Sequence, residues 1–315
     1  MTRAWLEASE KLALVFPGQG TQHVGMGHDL YEQYPLARHV FSLADNALGF
    51  PLSQLCFSGP ETELSDTINA QPAILTTSAA VLEVLQSRLG GDFAPAFLAG
   101  HSLGEYTAFL AAGVLDFSAA IRLVRERGRL MQLAGEQNPG AMAAVLGMDE
   151  GTLRSICAEV GDVWPANDNC PGQVVLSGTR PALKKALQMA NTKGARRTVP
   201  LAVSIPGHSP LMATAAQAFA IIIERLELNH ASIPVVANVT AEPITAPGDI
   251  RAEMVSHLTS GVRWVDSVRY MITQGVRTFV EVGPKSVLCG LIRQIDKSVQ
   301  THNVSTVADI EALGA

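Results

Sequence analysis

The sequence predicts an α/β protein: a parallel sheet covered by helices on both faces, interrupted by a small inserted domain. Three observations predict it. Short apolar runs ending in glycine-bearing turns alternate with stretches of helical apolar spacing, the arrangement of a parallel sheet buried on both faces. From Gly140 that alternation gives way to a β-α-β-β-α-β order. Hydrophobic residues make up 47% of the 315 positions, enough for a large core at a length that suits one large domain with an insertion or two domains.

In chain order, "KLALVFPGQGTQ" reads as a buried strand, Leu12 to Phe16, broken by Pro17 and Gly18 into a loop. "APAFLAG" is a second strand of the same kind. Leu103 to Ala112 and Phe117 to Leu133 carry apolar residues at helical spacing, with Gly113 stopping the first helix and Asp116 capping the next. "GAMAAVLGM", "DVWPAND", "GQVVLSG" and "ARRTVPLAV" read as strands, and "DEGTLRSICAEV" and "RPALKKALQMANTKG" as helices. Their order is the ferredoxin-like pattern, so residues 138–204 form the insert and residues 1–137 and 205–315 the large domain. Helix and strand alternation then resumes from "SPLMATAAQAFAIIIERLEL" to "VRTFVEVGPKSVLCGLIRQI".

The net charge of −6 and scattered Lys and Arg give no nucleic-acid or membrane-surface footprint. Cys56, Cys157, Cys170 and Cys289 have neither CxxC nor metal-ligand spacing, and the N-terminus lacks a basic-then-apolar leader. No apolar run approaches the roughly 18 residues that span a bilayer. The expectation is a cytoplasmic protein with reduced thiols, not bound to a membrane.

The chemistry concentrates in "FLAGHSLGEYTAFLAAG". Gly100-His101-Ser102-Leu103-Gly104 fits the G-x-S-x-G nucleophile elbow, a strand-to-helix turn that exposes a serine oxygen and tolerates only small neighbours. With a strand before it and a helix after it, the turn makes the large domain α/β-hydrolase-like. The N–H of Leu103, at the helix N-terminus, is the first candidate donor to an oxyanion.

A serine hydroxyl needs a base, and eight histidines compete. His23, His28, His39, His230 and His302 sit in polar or helical-surface contexts. His101 adjoins the serine, where neighbouring side chains point apart, so it reads as a packing or substrate-contacting group. His208 follows Pro206 and Gly207 between a strand end and a helix start and is the candidate base; a histidine capping the next helix is the alternative on sequence alone. For an acidic substrate, "RLVRERGRL" offers Arg122, Arg125, Arg127 and Arg129, and helical spacing does not choose among them. The glycines of "FPGQGTQHVGMG" are spaced G-x-G-x-x-x-x-G, which rejects a dinucleotide site. "CPGQVV" reads as a small buried thiol beside a turn.

Together "VFPGQGTQ", "QPAIL", "GHSLGEYTAFLAAGVLDF", "RERGRLMQ", "GAMAAVLG", "CPGQVVLSG", "IPGHSPLM" and "EVGPKSVLCGL" resemble, in order and spacing, the malonyl-CoA:acyl-carrier-protein transacylases of fatty acid and polyketide synthesis. The resemblance implies that Ser102 is acylated and that His208 is its base, oriented by backbone carbonyl oxygen from "SHLTSGVRW", around His257, rather than by a carboxylate. Glu105 would then be structural. It implies that the N–H of Gln19 joins that of Leu103 in the oxyanion hole. Arg127 would grip the substrate's free carboxylate, and His101, Gly207 and Met131 would line the acyl site. A guanidinium can make two parallel hydrogen bonds to a carboxylate, which a lysine cannot imitate.

The implied substrates are malonyl-CoA and an acyl carrier protein, with no metal and no bound cofactor, in a monomer. An acidic carrier would dock at the cleft rim, where Lys184, Lys185, Arg196, Arg197 and Lys285 are available. One departure stands out: relatives place Ser or a bulkier Phe before the histidine, and this chain has Gly207. A missing wall leaves open an acyltransferase for an unusual unit, or a hydrolase of acyl carrier proteins. A docking subunit without turnover is opposed by the joint retention of Ser102, His208, Gln19 and Arg127.

Overall fold

The computed structural model describes residues 11–90, 93–201, 203 and 205–313. The N-terminal segment read for a leader, Ala202 of the expected strand after Ala195, and the residue at the expected domain boundary, Ser204, lie outside them.

The main sheet has six strands: β1 (Lys11–Phe16), β2 (Phe97–Gly100), β7 (Val235–Val236), β8 (Pro243–Ile244), β9 (Val276–Val282) and β10 (Gln300–Val304). They run in the order β10-β9-β1-β2-β7-β8, parallel except for the antiparallel β7–β8 pair. Side chains alternate across it as a strand requires. From β1, Leu14 and Phe16 enter the core under helices Thr67–Leu89, Leu103–Ala111 and Phe117–Gln137, while Ala13 and Val15 enter the opposite core with Trp264, Val268 and Leu291. Each buried Leu or Phe stabilises the fold by about 1.5–3 kcal/mol, and a one-residue slip would exchange the two faces.

A second sheet is wholly antiparallel. It contains β3 (Gly140–Leu146), β4 (Val163–Cys170), β5 (Gln173–Thr179) and β6 (Arg197–Pro200), in the order β4-β5-β3-β6. Ala143 and Val145 of β3 pack with helices Glu150–Val160 and Arg180–Thr192; Met142 and Ala144 point the other way, toward the main sheet's cleft. Pro165 is accommodated because β4 is an edge strand whose register shifts between Pro165 and Asn167.

Three expectations are corrected. The strand expected from Ala195 to Val203 is only four residues long, with both ends exposed. The helix expected from Ser209 starts at Ala213, after a 3-10 turn at Pro210–Met212, because Pro210 holds Ser209 extended. Helix Thr67–Leu89 is long and apolar enough to cross a membrane by composition, although no unbroken apolar run is. With 83% of its apolar window buried, it is the central helix of the larger core.

Candidate active site

The site sits where β1 and β2 end side by side, with Phe16 in register with Gly100. Parallel sheets present ligand sites at their strands' carboxyl ends. β2 stops at Gly100, Ser102 takes φ 52° and ψ −110°, and the helix begins at Leu103. A Cβ on Gly100 would lie 1.9 Å from the Gly104 carbonyl carbon, and one on Gly104 would lie 2.0 Å from the Phe16 oxygen. The turn therefore closes only with glycine at both places. A serine at this φ costs about 1–3 kcal/mol. Opposing that cost, Asn238 Oδ1 accepts from the Ser102 N–H at 2.8 Å and Asn238 Nδ2 donates to the Gly100 carbonyl at 2.7 Å.

His208 comes to this serine from 106 residues away: its Nε2 lies 2.8 Å from Ser102 Oγ. Its Nδ1 faces the carbonyl oxygens of His257 and Ser260, each at 3.1 Å. Carbonyls only accept, so Nδ1 carries the hydrogen and Nε2 presents its lone pair to the hydroxyl. Backbone thus fixes the tautomer that a carboxylate fixes elsewhere. Burial, then the positive charge of Arg127, then His101 push the His208 pKa down to about 3. The imidazole is consequently neutral, a proton acceptor, throughout the neutral range.

Of the four candidate arginines, one points inward. Arg122 donates to the Ala47 carbonyl, Arg125 lies over the Phe50 ring at 4.2 Å, and Arg129 pairs with Glu126. Arg127 is 1% exposed, donates through Nη1 to Gln71 Oε1 at 2.8 Å, and holds Nη2 3.4 Å from Ser102 Oγ. Among the described residues no carboxylate lies within ion-pair distance of it, and its Nε has no hydrogen-bond partner. Burial lowers its pKa. A buried guanidinium beside a serine, with neutral partners and donors to spare, is built to meet an anion.

These groups open into a cavity of about 570 Å³ between the two sheets. Gln19, His101, Met131 and Gly207 line it with Ser102, His208 and Arg127. Gln19 follows β1, and its side chain donates to Thr67 Oγ1 at 3.1 Å, which pins the loop beside the elbow. The Leu103 side chain is buried in the core, while its N–H opens the elbow helix, where no earlier turn supplies a carbonyl. His101 is turned away from the serine: its Nε2 meets Asn169 Oδ1 at 2.8 Å and its ring packs edge-on to Trp264. A Cβ on Gly207 would lie 3.5 Å from Met131 Cε and 3.7 Å from Met142 Sδ, ordinary contact. Lys285 is at the cavity wall, Lys184 lines a separate groove, and Lys185, Arg196 and Arg197 line neither.

The other histidines are elsewhere: His28, His39 and His230 are exposed, His23 contacts the Thr21 carbonyl, and His302 lies on β10. The four cysteines are free and buried. Gln71, Asn238, Asn167 and Asn169 escaped the sequence reading as site residues, while Ser260 lies within the "SHLTSGVRW" segment named for the orienting carbonyl. Gln71 does stand at the head of "QPAIL", and a glutamine leading an apolar run was the available signal; its 0% exposure appears only in the fold.

The acyl transferase domain family matches residues 13–311. The malonyl CoA-acyl carrier protein transacylase of Bacillus subtilis is 44% identical over 305 residues, covering 96% of this chain and 95% of the relative. That of Escherichia coli K12 is 42% identical over 308 residues, 97% and 98% of the two chains. Among solved structures, an acyl carrier protein S-malonyltransferase from Vibrio cholerae superposes with a TM-score of 0.93 at 42% identity, over 96% of this chain and 99% of that one. The malonyl-transacylase solved in complex with its type II polyketide synthase acyl carrier protein matches with the same score and coverage at 41% identity. The chain belongs to the acyl transferase domain family, among the malonyl CoA-acyl carrier protein transacylases.

Proposed function

We propose that the chain moves a malonyl group from coenzyme A to the phosphopantetheine thiol of an acyl carrier protein by way of a Ser102 ester. The observation that carries this is the buried, carboxylate-free Arg127 beside a serine already bonded to a neutral histidine. As Ser102 Oγ attacks the thioester carbonyl, His208 Nε2 takes its proton and the N–H groups of Leu103 and Gln19 receive the oxyanion. The C–S bond breaks, and His208 returns the proton to the departing coenzyme A sulfur. In the second half His208 takes the proton of the carrier thiol, the thiolate attacks the ester, and Ser102 recovers its hydrogen. Arg127 holds the malonyl carboxylate, and with it the ester carbonyl, in one orientation through both halves.

The reading needs no metal and no resident cofactor, since the nucleophile, base and oxyanion donors all come from the chain. The carrier as partner rests on the likeness to the transacylase solved with one. The protein would work as a cytoplasmic monomer, with Lys285 at the cavity wall and Lys184, Lys185, Arg196 and Arg197 available to an acidic carrier. Residues 138–204, with strand order β4-β5-β3-β6, serve as a ferredoxin-like insert on an α/β-hydrolase-like frame at residues 1–137 and 205–315.

A second reading rests on Gly207, whose missing side chain leaves room against Met131 and Met142 for a larger acyl group or a water. One wall changes selectivity by only about 1–3 kcal/mol, which leaves malonyl the preferred unit. Malonyl-, methylmalonyl- and acetyl-CoA, with the corresponding acyl carriers, are assayed for transfer against hydrolysis. Malonyl transfer to the carrier is expected to exceed every other rate. Hydrolysis outrunning transfer for all of them would replace the transacylase reading with the hydrolase one.

A further inference from the structure

Behind the reacting pair lies a buried polar cluster that the mechanism above does not use. Glu105, in the first turn of the elbow helix, is 0% exposed. Its Oε1 accepts from the Asn238 backbone N–H at 2.7 Å and from Asn238 Nδ2 at 3.1 Å. That same asparagine accepts from the Ser102 N–H and donates to the Gly100 carbonyl. The other oxygen, Oε2, lies 3.1 Å from Nδ1 of His257. The His257 ring is fully buried, stacks on Tyr106 at 15°, and belongs to the residue whose carbonyl receives His208 Nδ1. Each arm of one carboxyl therefore ends one residue from a reacting group.

We propose that Glu105 is a positioning residue, its two oxygens tying the strained turn that carries Ser102 to the backbone that orients His208. The assignment rests on Ser102 and His208 being the reacting pair. Its logic is geometric: the elbow and the His257 carbonyl belong to segments about 150 residues apart in sequence, and a misplacement of 1 Å between base and nucleophile costs on the order of a hundredfold in rate. Polar contacts of this kind, Oε1 bonded to Asn238 and Oε2 3.1 Å from His257 Nδ1, restrain two segments more tightly than apolar contacts, which tolerate sliding.

The charged and titratable groups around Glu105 are Glu253, Tyr106, Arg127 and His257, with His208 and His101 beyond. Burial, then repulsion from Glu253, raises the Glu105 pKa well above its ordinary value, and burial lowers that of His257 well below its own. Glu253 Oε1 accepts the Val239 N–H at 2.9 Å, which anchors the next residue after Asn238 to the helix that leads to His257.

The test follows the rate at which a serine-directed sulfonyl fluoride modifies the full-length protein across pH, per folded molecule, with the folded fraction taken from thermal denaturation. Glu105→Gln keeps an oxygen for Asn238 and an amide for His257, and is expected to stay within about threefold of the parent. Glu105→Met keeps the volume without the acceptors and is expected to lose about tenfold or more. Its acid limb should also move to higher pH, because water reaching a loosened His208 returns that imidazole toward its ordinary pKa. Should Glu105→Met fail to fold, His257→Phe, which keeps the ring on Tyr106 and loses Nδ1, is expected to show the same limb shift. A folded Glu105→Met or His257→Phe with parental rate and an unmoved limb overturns the proposal. Modification that persists in Ser102→Ala removes the nucleophile assignment itself, and the proposal with it.

Discussion

Replacing His208 with alanine is expected to lower malonyl transfer by about 10²–10⁴-fold, the usual contribution of a positioned general base. The loss should fall on kcat and leave KM close to the parent's, since His208 touches the Ser102 hydroxyl while the proposed mechanism gives the malonyl carboxylate to Arg127. Both half-reactions should slow, because in the proposed mechanism the one Nε2 takes the serine proton in the first and the thiol proton in the second. Asymmetric loss, with acylation intact and only deacylation impaired, would show that another group activates Ser102. The physical basis is narrow: one nitrogen 2.8 Å from the hydroxyl, its tautomer set by two carbonyls. Among the described residues no carboxylate is hydrogen-bonded to Ser102 or His208, and Glu105 Oε1 is engaged by Asn238.

Replacing Arg127 with alanine should reverse the preference for a carboxylated acyl group. Removing one partner of a buried, hydrogen-bonded charge pair costs about 2–5 kcal/mol, or roughly 30-fold to several thousandfold in kcat/KM for malonyl-CoA. Acetyl-CoA, which has nothing for the guanidinium to hold, should be turned over as well as before or better, because the variant no longer buries an unmatched cation. Arg127→Lys should restore little, since an ammonium cannot supply two parallel N–H bonds. Competition kinetics with the two thioesters checks this. An equal loss for both would remove Arg127 from the carboxylate role and make it a structural support for Gln71 and Ser102.

How far the sequence announced this site depends on the kind of signal each residue carries. Ser102 was legible because an elbow needs glycines at fixed offsets, and the distances of 1.9 and 2.0 Å at Gly100 and Gly104 give the reason. His208 was legible only as a loop histidine among eight; what distinguishes it is a contact across 106 residues that local pattern does not encode. Arg127 was one of four at helical spacing, and the choice came from resemblance, with the burial that marks it appearing only in the fold. Asn238 left no trace because β7, just before it, is only two residues long, whereas Ser260 lies inside "SHLTSGVRW", the segment that resemblance pointed to without singling out that carbonyl. The strand and helix order from Gly140 to Pro200 was readable from alternating patterns, whereas the ends of β6 and of the helix after Pro210 were not, because tertiary contacts and proline geometry set them.

The central claim is that Ser102 carries the acyl group. An intact-protein mass spectrum taken after mixing with malonyl-CoA, and again after adding a carrier protein, tests it most directly. The account predicts a malonyl adduct on a peptide containing Ser102, absent in Ser102→Ala, which disappears as malonyl carrier protein forms. An adduct retained by Ser102→Ala, or one that never passes to the carrier, would contradict it.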